Sequence, residues 1–114
     1  MQRGSILAKR LPKHPGEILR EEYLEKLGLS ANALAMALHV PSTRISEIIR
    51  GRRSLSADTA LRLERYFSND KASKSEQEWV RLQSQYELAK ISPAERRRIE
   101  SEVKSTYKVG TGVR

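Results

Sequence analysis

Apolar side chains recur along this chain at helical spacing in several short segments, and no segment shows the alternation typical of a β-strand. The first segment follows His14 and ends at Gly28. Pro15 suits the first helical position, where its missing N–H costs nothing, and Glu17 suits the positive end of the helix dipole. The apolar positions of this first predicted helix are Ile18, Leu19, Tyr23, Leu24 and Leu27.

Three further short helices are predicted between residues 30 and 67. Ser30 can cap the second helix, and the sequence His39-Val40-Pro41 interrupts it. The third helix runs from about Ser42 to Arg50 and ends at Gly51, and Ser56 can cap the fourth. The residues predicted to face inward are Leu34, Ala35 and Leu38 in the second helix, Ile45, Ile48 and Ile49 in the third, and Ala60, Leu61, Leu63 and Phe67 in the fourth.

The remainder of the chain predicts a polar loop and two more helices. The capping pattern Ser75-x-x-Glu78 precedes a segment containing Trp79, Leu82 and Tyr86, and the pattern Ser92-x-x-Glu95 begins a last helix that should reach about Tyr107. The expected fold is therefore all-α, with five to six short helices. The expected divisions are a basic arm over 1–13, a core of four helices over 14–67, a loop over 68–75, C-terminal helices over 76–108 and a tail over 109–114.

The second and third helices, joined by a three-residue turn, have the outline of a helix-turn-helix. The two helices of this motif cross steeply, so a small residue is needed in the middle of the first, and Ala35 stands there. The apolar positions that the motif requires around this crossing are filled by Leu34, Leu38, Val40, Ile45 and Ile48. His39 follows the first helix, at a position where a left-handed backbone is expected.

Composition narrows the classes of function. The chain has 114 residues, no cysteine and a net charge of +8. Without cysteine there is no disulfide or thiolate metal site, and no His-Glu-x-x-His or glycine-rich phosphate loop is present, so we expect neither an enzyme nor a cofactor. Apolar runs are too short for a membrane span, and a cytoplasmic protein is expected. The excess positive charge lies in 1–14, 28–53 and 93–114, which favours a polyanionic partner.

If the third helix enters the major groove of DNA, its exposed face supplies the base contacts. The candidates are Ser42, Thr43, Arg44, Ser46 and Glu47. Arg44 is best suited to a guanine edge, while Glu47 could accept from cytosine N4 or orient Arg44, of which we favour the second. The candidates for phosphate contacts, which set affinity and register, are Ser30, Asn32, Arg50, Arg52 and Arg53.

Residues 14–90 resemble HigA-type (VapI-like) antitoxins of the XRE (Cro/cI-like) helix-turn-helix family. The matching motifs are His14-Pro15-Gly16-Glu17-Ile18-Leu19, Leu27-Gly28-Leu29-Ser30-x-Asn32-Ala33-Leu34-Ala35, Val40-Pro41-x-x-Arg44-Ile45-x-Glu47-Ile48, Gly51-x-Arg53, Ala57-Asp58-Thr59-Ala60-Leu61-Arg62-Leu63 and Trp79-x-x-Leu82-Gln83-x-x-Tyr86-x-Leu88. The resemblance implies a lambda-repressor-like domain with a C-terminal helical extension. It also implies a bacterial antitoxin that neutralises a HigB toxin, a RelE-like mRNA interferase, and that as a homodimer represses its own operon on double-stranded DNA.

Several alternatives stay open. Trp79, Leu82 and Tyr86, with the last helix, are the expected dimer surface, although Trp79 and Tyr86 could equally close the monomer core. The toxin could contact the arm 1–13, the C-terminal extension or the acidic face of the first helix, formed by Glu21, Glu22 and Glu25, which could also be simply solvated. The competing functions are a stand-alone XRE repressor without a toxin and an adaptor that binds only proteins.

Overall fold

Residues 11–106 are described by a computed structural model, and within that range the chain forms six helices and no strand. Helix α1 combines the consecutive segments Pro15–Leu19, Arg20–Leu24 and Glu25–Leu27, the middle one being a π-helical turn. The others are α2 (Ala31–Leu38), α3 (Ser42–Ile49), α4 (Ala57–Tyr66), α5 (Glu76–Lys90) and α6 (Pro93–Glu102). The all-α prediction is confirmed, whereas the predictions for residues 1–10 of the arm and for the tail lie outside the described residues.

Local capping explains where the helices begin. The side chains of Ser30, Ser56, Ser75 and Ser92 each accept a hydrogen bond from the backbone N–H three residues later. At Ser92 the Glu95 carboxylate returns the bond to the serine N–H at 3.1 Å, which completes a capping box. At Ser75 the structure shows only the serine half of the predicted box. Gly28, at φ 65°, ends α1 in the left-handed conformation that glycine adopts without strain.

One core is formed by α1 to α5. Its largest fully buried side chains include Leu19, Tyr23, Leu34, Ile45, Ile48, Leu63 and Trp79. One predicted inward-facing position is wrong, since Leu61 is 55% exposed. Leu27, the last apolar position of the first helix, is 52% exposed. Leu61 lies two residues from both Thr59 and Leu63, which are buried, and two residues correspond to about 200° around a helix. The buried face of α4 therefore includes Thr59 in place of Leu61.

The loop 68–75 is held against the core by its contacts with α1 and α5. The Tyr23 hydroxyl donates a hydrogen bond to the carbonyl oxygen of Ala72. The Lys74 ammonium lies 5.7 Å from the centre of the Tyr23 ring and 5.8 Å from that of Trp79, and it pairs with Glu22 at 3.1 Å. Burial raises the pKa of the Tyr23 phenol, so it stays a hydrogen-bond donor near neutral pH. These contacts fix the loop 68–75 to both α1 and the start of α5.

Helix α6 ends earlier than the sequence predicts. It was expected to reach about Tyr107, but the structure ends it at Glu102, and Val103 is already extended. Every residue of α6 is exposed, so the helix lacks the buried apolar face that sustains most helices of this length. Its stabilising contacts include its capping box, the hydrogen bond from Nη2 of Arg96 to the carbonyl oxygen of Leu88 at 2.8 Å, and weak side-chain pairs such as Arg98–Glu102.

Candidate nucleic-acid interface

Helices α2 and α3 form the predicted helix-turn-helix. Ala35 is 1% exposed at the place where the two helices pack. His39 follows α2 at φ 62° and ψ 46°, and its N–H donates to the carbonyl oxygens of Ala35 and Met36. The left-handed backbone expected at His39 is confirmed, and the small residue at the crossing is explained by the close packing around it.

The opposite end of α3 is supported by α1. Gly16 is buried, and a Cβ atom added to it would overlap the carbonyl oxygen of Ile48 and lie 2.9 Å from Cα of Ile49. His14 caps α1, because its Nδ1 accepts from the Gly16 N–H at 2.8 Å. The sequence His14-Pro15-Gly16 thus brings the start of α1 against the end of α3, which leaves the first turn of α3 exposed.

The candidate base-reading residues lie on the first two turns of α3, but their side chains differ in their partners. Ser42 and Thr43 are exposed, whereas the Arg44 side chain is 28% exposed and its Nη1 lies 3.1 Å from a carboxylate oxygen of Asp58. The carboxylate of Glu47 pairs with Nε of Arg53 at 2.9 Å. The favoured prediction that Glu47 orients Arg44 is therefore wrong for this structure. Side chains three residues apart on a helix can meet, but these two find partners in different elements.

Asp58 connects α3 to the rest of the motif. Its carboxylate also accepts from Nε of Arg62, at 3.0 and 3.1 Å to the two oxygens. Arg62 in turn donates from Nη1 to the carbonyl oxygen of Leu38, at the end of α2, at 2.8 Å. Hydrogen bonds from Arg62 and then Arg44 hold the pKa of Asp58 below its usual value, so the carboxylate is ionised at neutral pH.

The candidate phosphate-contacting residues lie around α3. Arg50 and Arg52 are exposed directly after α3, while Arg53 is engaged by Glu47. Ser30 caps α2, accepting from the Ala33 N–H at 3.0 Å, and Asn32 is exposed on the first turn of that helix. All five face solvent on or beside the helix-turn-helix, which is the placement that phosphate contacts need.

A buried glutamine positions the segment that carries Arg52 and Arg53. Oε1 of Gln83 accepts from the Leu55 N–H at 2.9 Å, and Nε2 donates to Glu87 at 2.9 Å. Sequence reasoning missed Gln83 as well as Asp58. A signal for Gln83 was available in the sequence. It stands four residues after Trp79 and three before Tyr86, so it shares their helix face, and a polar residue on that face is expected to be buried and hydrogen-bonded.

Comparison with known proteins agrees with this geometry. A helix-turn-helix family model matches residues 21–70. Virulence-associated protein I of Dichelobacter nodosus is 59% identical over 75 residues, which are 66% of this chain and 65% of that protein. The solved Pseudomonas aeruginosa antitoxin HigA, with the higBA promoter, is 44% identical with a TM-score of 0.72, covering 84% of this chain and 99% of that one. An addiction module antidote protein of a HigA family from Coxiella burnetii is 39% identical with a TM-score of 0.70, covering 82% and 97%.

The chain belongs to the HigA-like group of the XRE helix-turn-helix family. The fold and the family that the sequence motifs indicated are thereby confirmed. The chain spans slightly less than two thirds of Virulence-associated protein I.

In this HigA-like chain the predicted dimer residues differ in accessibility. Trp79 is 1% exposed and packs on Tyr23, with ring centres 5.7 Å apart, so its side chain belongs to the monomer core. Leu82 is half-buried against the same core. Tyr86 is half-buried and meets the His14 ring edge-on at 4.9 Å. A contact with a second copy can therefore involve Leu82 and Tyr86 in part, but an indole enclosed in the monomer has no surface left for it.

The acidic face of α1 is neutralised within the molecule. Glu21 pairs with Lys13 at 2.7 Å, Glu25 pairs with Arg20 at 2.9 Å, and Glu22 pairs with Lys74. The hydrogen bond from Lys13 is the main cause that lowers the pKa of Glu21. The favoured interpretation of this face as an ordinary solvated surface suits these pairs better than a role as an attractive patch for a basic partner.

Neither a metal site nor a membrane span is found in the described part of the chain. Among residues 11–106, no group of three or more histidine or acidic side chains is placed to hold a metal ion. None of the helices over the same range is long and apolar enough to cross a bilayer.

Proposed function

We propose that this protein is the antitoxin of a type II toxin–antitoxin module that represses its own operon by binding double-stranded DNA. The observation that carries the DNA-binding part is the exposed first turn of α3, which presents Arg44 with Ser42 and Thr43 while the helix face that carries Ile45 and Ile48 is buried. The relatives support it, since one similar antitoxin has been solved with the higBA promoter and another in complex with its operator.

In this proposal the residues divide by role. Ser42, Thr43, Arg44, Ser46 and Glu47 contact base edges in the major groove, with Arg44 reading a guanine. Ser30, Asn32, Arg50, Arg52 and Arg53 contact phosphates, which fix the register of α3 without reading sequence. Glu47 is available for a cytosine amino group only when it separates from Arg53. The Glu47–Arg53 ion pair is exposed, and pairs of this kind contribute about 0–1 kcal/mol to stability, so separating them costs little.

A homodimer completes the proposed DNA-binding unit. One α3 reads too few bases for a specific site, and two copies can read half-sites roughly 34 Å apart. The exposed apolar side chains of the C-terminal helices support such a surface, because Leu88 is 56% exposed and Ile99 is 46% exposed. Leu82 and Tyr86 lie on the same helix as Leu88. Sedimentation equilibrium of the purified protein measures the stoichiometry directly, and a monomer at micromolar concentration would contradict this part.

The proposed toxin is a HigB-type, RelE-like mRNA interferase that the chain neutralises by direct binding rather than by catalysis. Similarity to antitoxins is the support for this step. Since the acidic face of α1, formed by Glu21, Glu22 and Glu25, is paired with basic side chains of the same molecule, the arm and the C-terminal helices are the better candidates for the contact.

Two measurements test the proposal. Gel shifts compare a duplex from the protein's own promoter with a shuffled duplex of equal composition, at two salt concentrations. Co-expression with the product of the adjacent gene, followed by co-purification, tests for the toxin. Preference for the promoter with a co-purifying toxin supports both parts. Promoter preference without a toxin indicates a stand-alone XRE repressor. Absence of binding to both duplexes indicates an adaptor that binds only proteins.

A further inference from the structure

Asp58 places a carboxylate beside the arginine that is best suited to read a base. It is the second residue of α4, the side chain is half exposed, and it lies 3.1 Å from Nη1 of Arg44. A negative charge at a DNA-facing surface is unfavourable for affinity, because every phosphate repels it. A position of this kind needs a compensating role, and the contacts of Asp58 indicate one.

The contact leaves one edge of Arg44 open. A guanidinium carries five N–H donors in a planar fork, and Asp58 takes one at Nη1. In residues 11–106 the structure gives Arg44 no other hydrogen-bond partner, so the edge formed by Nε and Nη2 can still donate two parallel bonds. Two parallel bonds to O6 and N7 are the arrangement that recognises guanine.

The carboxylate is itself fixed. Arg62, one helical turn further along α4, donates from Nε to both oxygens of Asp58 and from Nη1 to the Leu38 carbonyl oxygen at the end of α2. The chain of contacts Leu38–Arg62–Asp58–Arg44 therefore links both helices of the helix-turn-helix and α4. Arg62 also offsets the charge of Asp58, which reduces the repulsion that a nearby phosphate would meet.

We propose that Asp58 is a positioning residue that fixes the orientation of Arg44 and thereby sets sequence preference, at some expense in general affinity for DNA. This inference rests on the proposed DNA-binding function and deepens it. An arginine held at one nitrogen has fewer rotamers to lose when it meets a base, and it presents one edge instead of several. A free arginine in the same place would contact phosphates and different bases with little discrimination.

The experiment measures two dissociation constants, one for the promoter duplex and one for the shuffled duplex, for the parent and for Asp58→Asn. The substitution removes one negative charge, so binding to the shuffled duplex should tighten. Preference, expressed as the ratio of the two constants, should fall by about three- to tenfold. This is less than the full discrimination that one bidentate contact provides, because Arg44 itself remains. Loss of folding is checked by thermal unfolding of both proteins.

Two comparisons separate positioning from charge and from structure. Glu64→Gln removes a negative charge from the same helix at a site that faces Glu76, so it should tighten both duplexes alike and keep the ratio. In an Arg44→Ala background, Asp58→Asn should leave the ratio unchanged, because the residue that Asp58 acts through is gone. Additive effects in this double-mutant cycle, or an unchanged ratio in Asp58→Asn alone, would overturn the inference. If the parent itself shows no preference for the promoter duplex, the proposed function fails first.

Discussion

Gly16 packs directly on the backbone of Ile48, so the first turn of α1 lies against the last turn of α3. A Cβ atom at Gly16 would overlap the Ile48 carbonyl oxygen and lie 2.9 Å from Cα of Ile49. Backbone atoms on both sides of the contact cannot rotate away as a side chain can. The position of the recognition helix is therefore coupled to the absence of a side chain at residue 16.

Replacing Gly16 by alanine should destabilise the protein. Alanine normally favours a helix over glycine, by about 1 kcal/mol, but at this site the added methyl group must push α1 and α3 apart. We expect a net loss of about 1–3 kcal/mol in the free energy of unfolding, as in other overpacked cores, together with weaker operator binding. Urea unfolding measures the first and gel shifts the second.

Gly28→Asn is the matched control for Gly16→Ala. Gly28 has φ 65°, and nothing lies within 4 Å of where its Cβ would be. Asparagine tolerates the left-handed region better than most residues, so the loss of stability should stay below about 1 kcal/mol. If Gly16→Ala were as stable as the parent, the close contact between α1 and α3 would not exist in solution.

Stability should depend on the protonation of His14. Its Nδ1 must be unprotonated to accept from the Gly16 N–H, and burial, followed by the positive charge of Lys90, lowers its pKa below 6.5. The unfolded chain therefore binds a proton more readily than the folded chain. The stabilisation of the folded state by this cap is complete above pH 6.5. It is lost as the pH falls through the lower pKa that His14 has in the folded state.

The measurement is the melting temperature as a function of pH between 5 and 7.5. In the parent it should fall on the acid side of this range, and His14→Asn should flatten the profile, because asparagine can cap the helix without titrating there. His39→Asn is the control and should keep the acid-side fall, since His39 is an exposed turn residue. A His14→Asn profile parallel to that of the parent would assign the effect to other groups.

The helices and the turn could be predicted from the sequence because their signals are local. Serine caps, glycine stops and periodic apolar residues act within one or two turns, and a left-handed residue at position 39 follows from the motif itself. Which face of a helix is buried depends on its neighbours, and the prediction that Leu61 faces inward was wrong for that reason. The partner of Arg44 stands 14 residues away in another helix, so nothing local distinguished Asp58 from Glu47.

Gln83 should contribute to stability although it is a polar residue in the core. It satisfies the buried N–H of Leu55, at 2.9 Å, in the segment between α3 and α4. Gln83→Ala leaves that donor unpaired, at a cost of about 1–3 kcal/mol in the free energy of unfolding. Gln85→Ala changes the same side chain on an exposed position of the same helix and should cost less than about 0.5 kcal/mol. Equal effects of the two substitutions in urea unfolding would contradict the role of Gln83.

Arg44 and Arg52 should affect DNA binding in different ways. Arg44 stands on the exposed first turn of α3, where base edges are within reach, so Arg44→Ala should reduce preference for the promoter duplex by about 1–3 kcal/mol. Arg52 follows α3 and is exposed, in the position of a phosphate contact, so Arg52→Ala should weaken the promoter and the shuffled duplex alike and reduce the salt dependence of binding. Gel shifts over a salt series give both quantities. If both variants bound like the parent, α3 would not be the helix that enters the groove. If Arg52→Ala changed preference while Arg44→Ala did not, the division between base and phosphate contacts would be reversed.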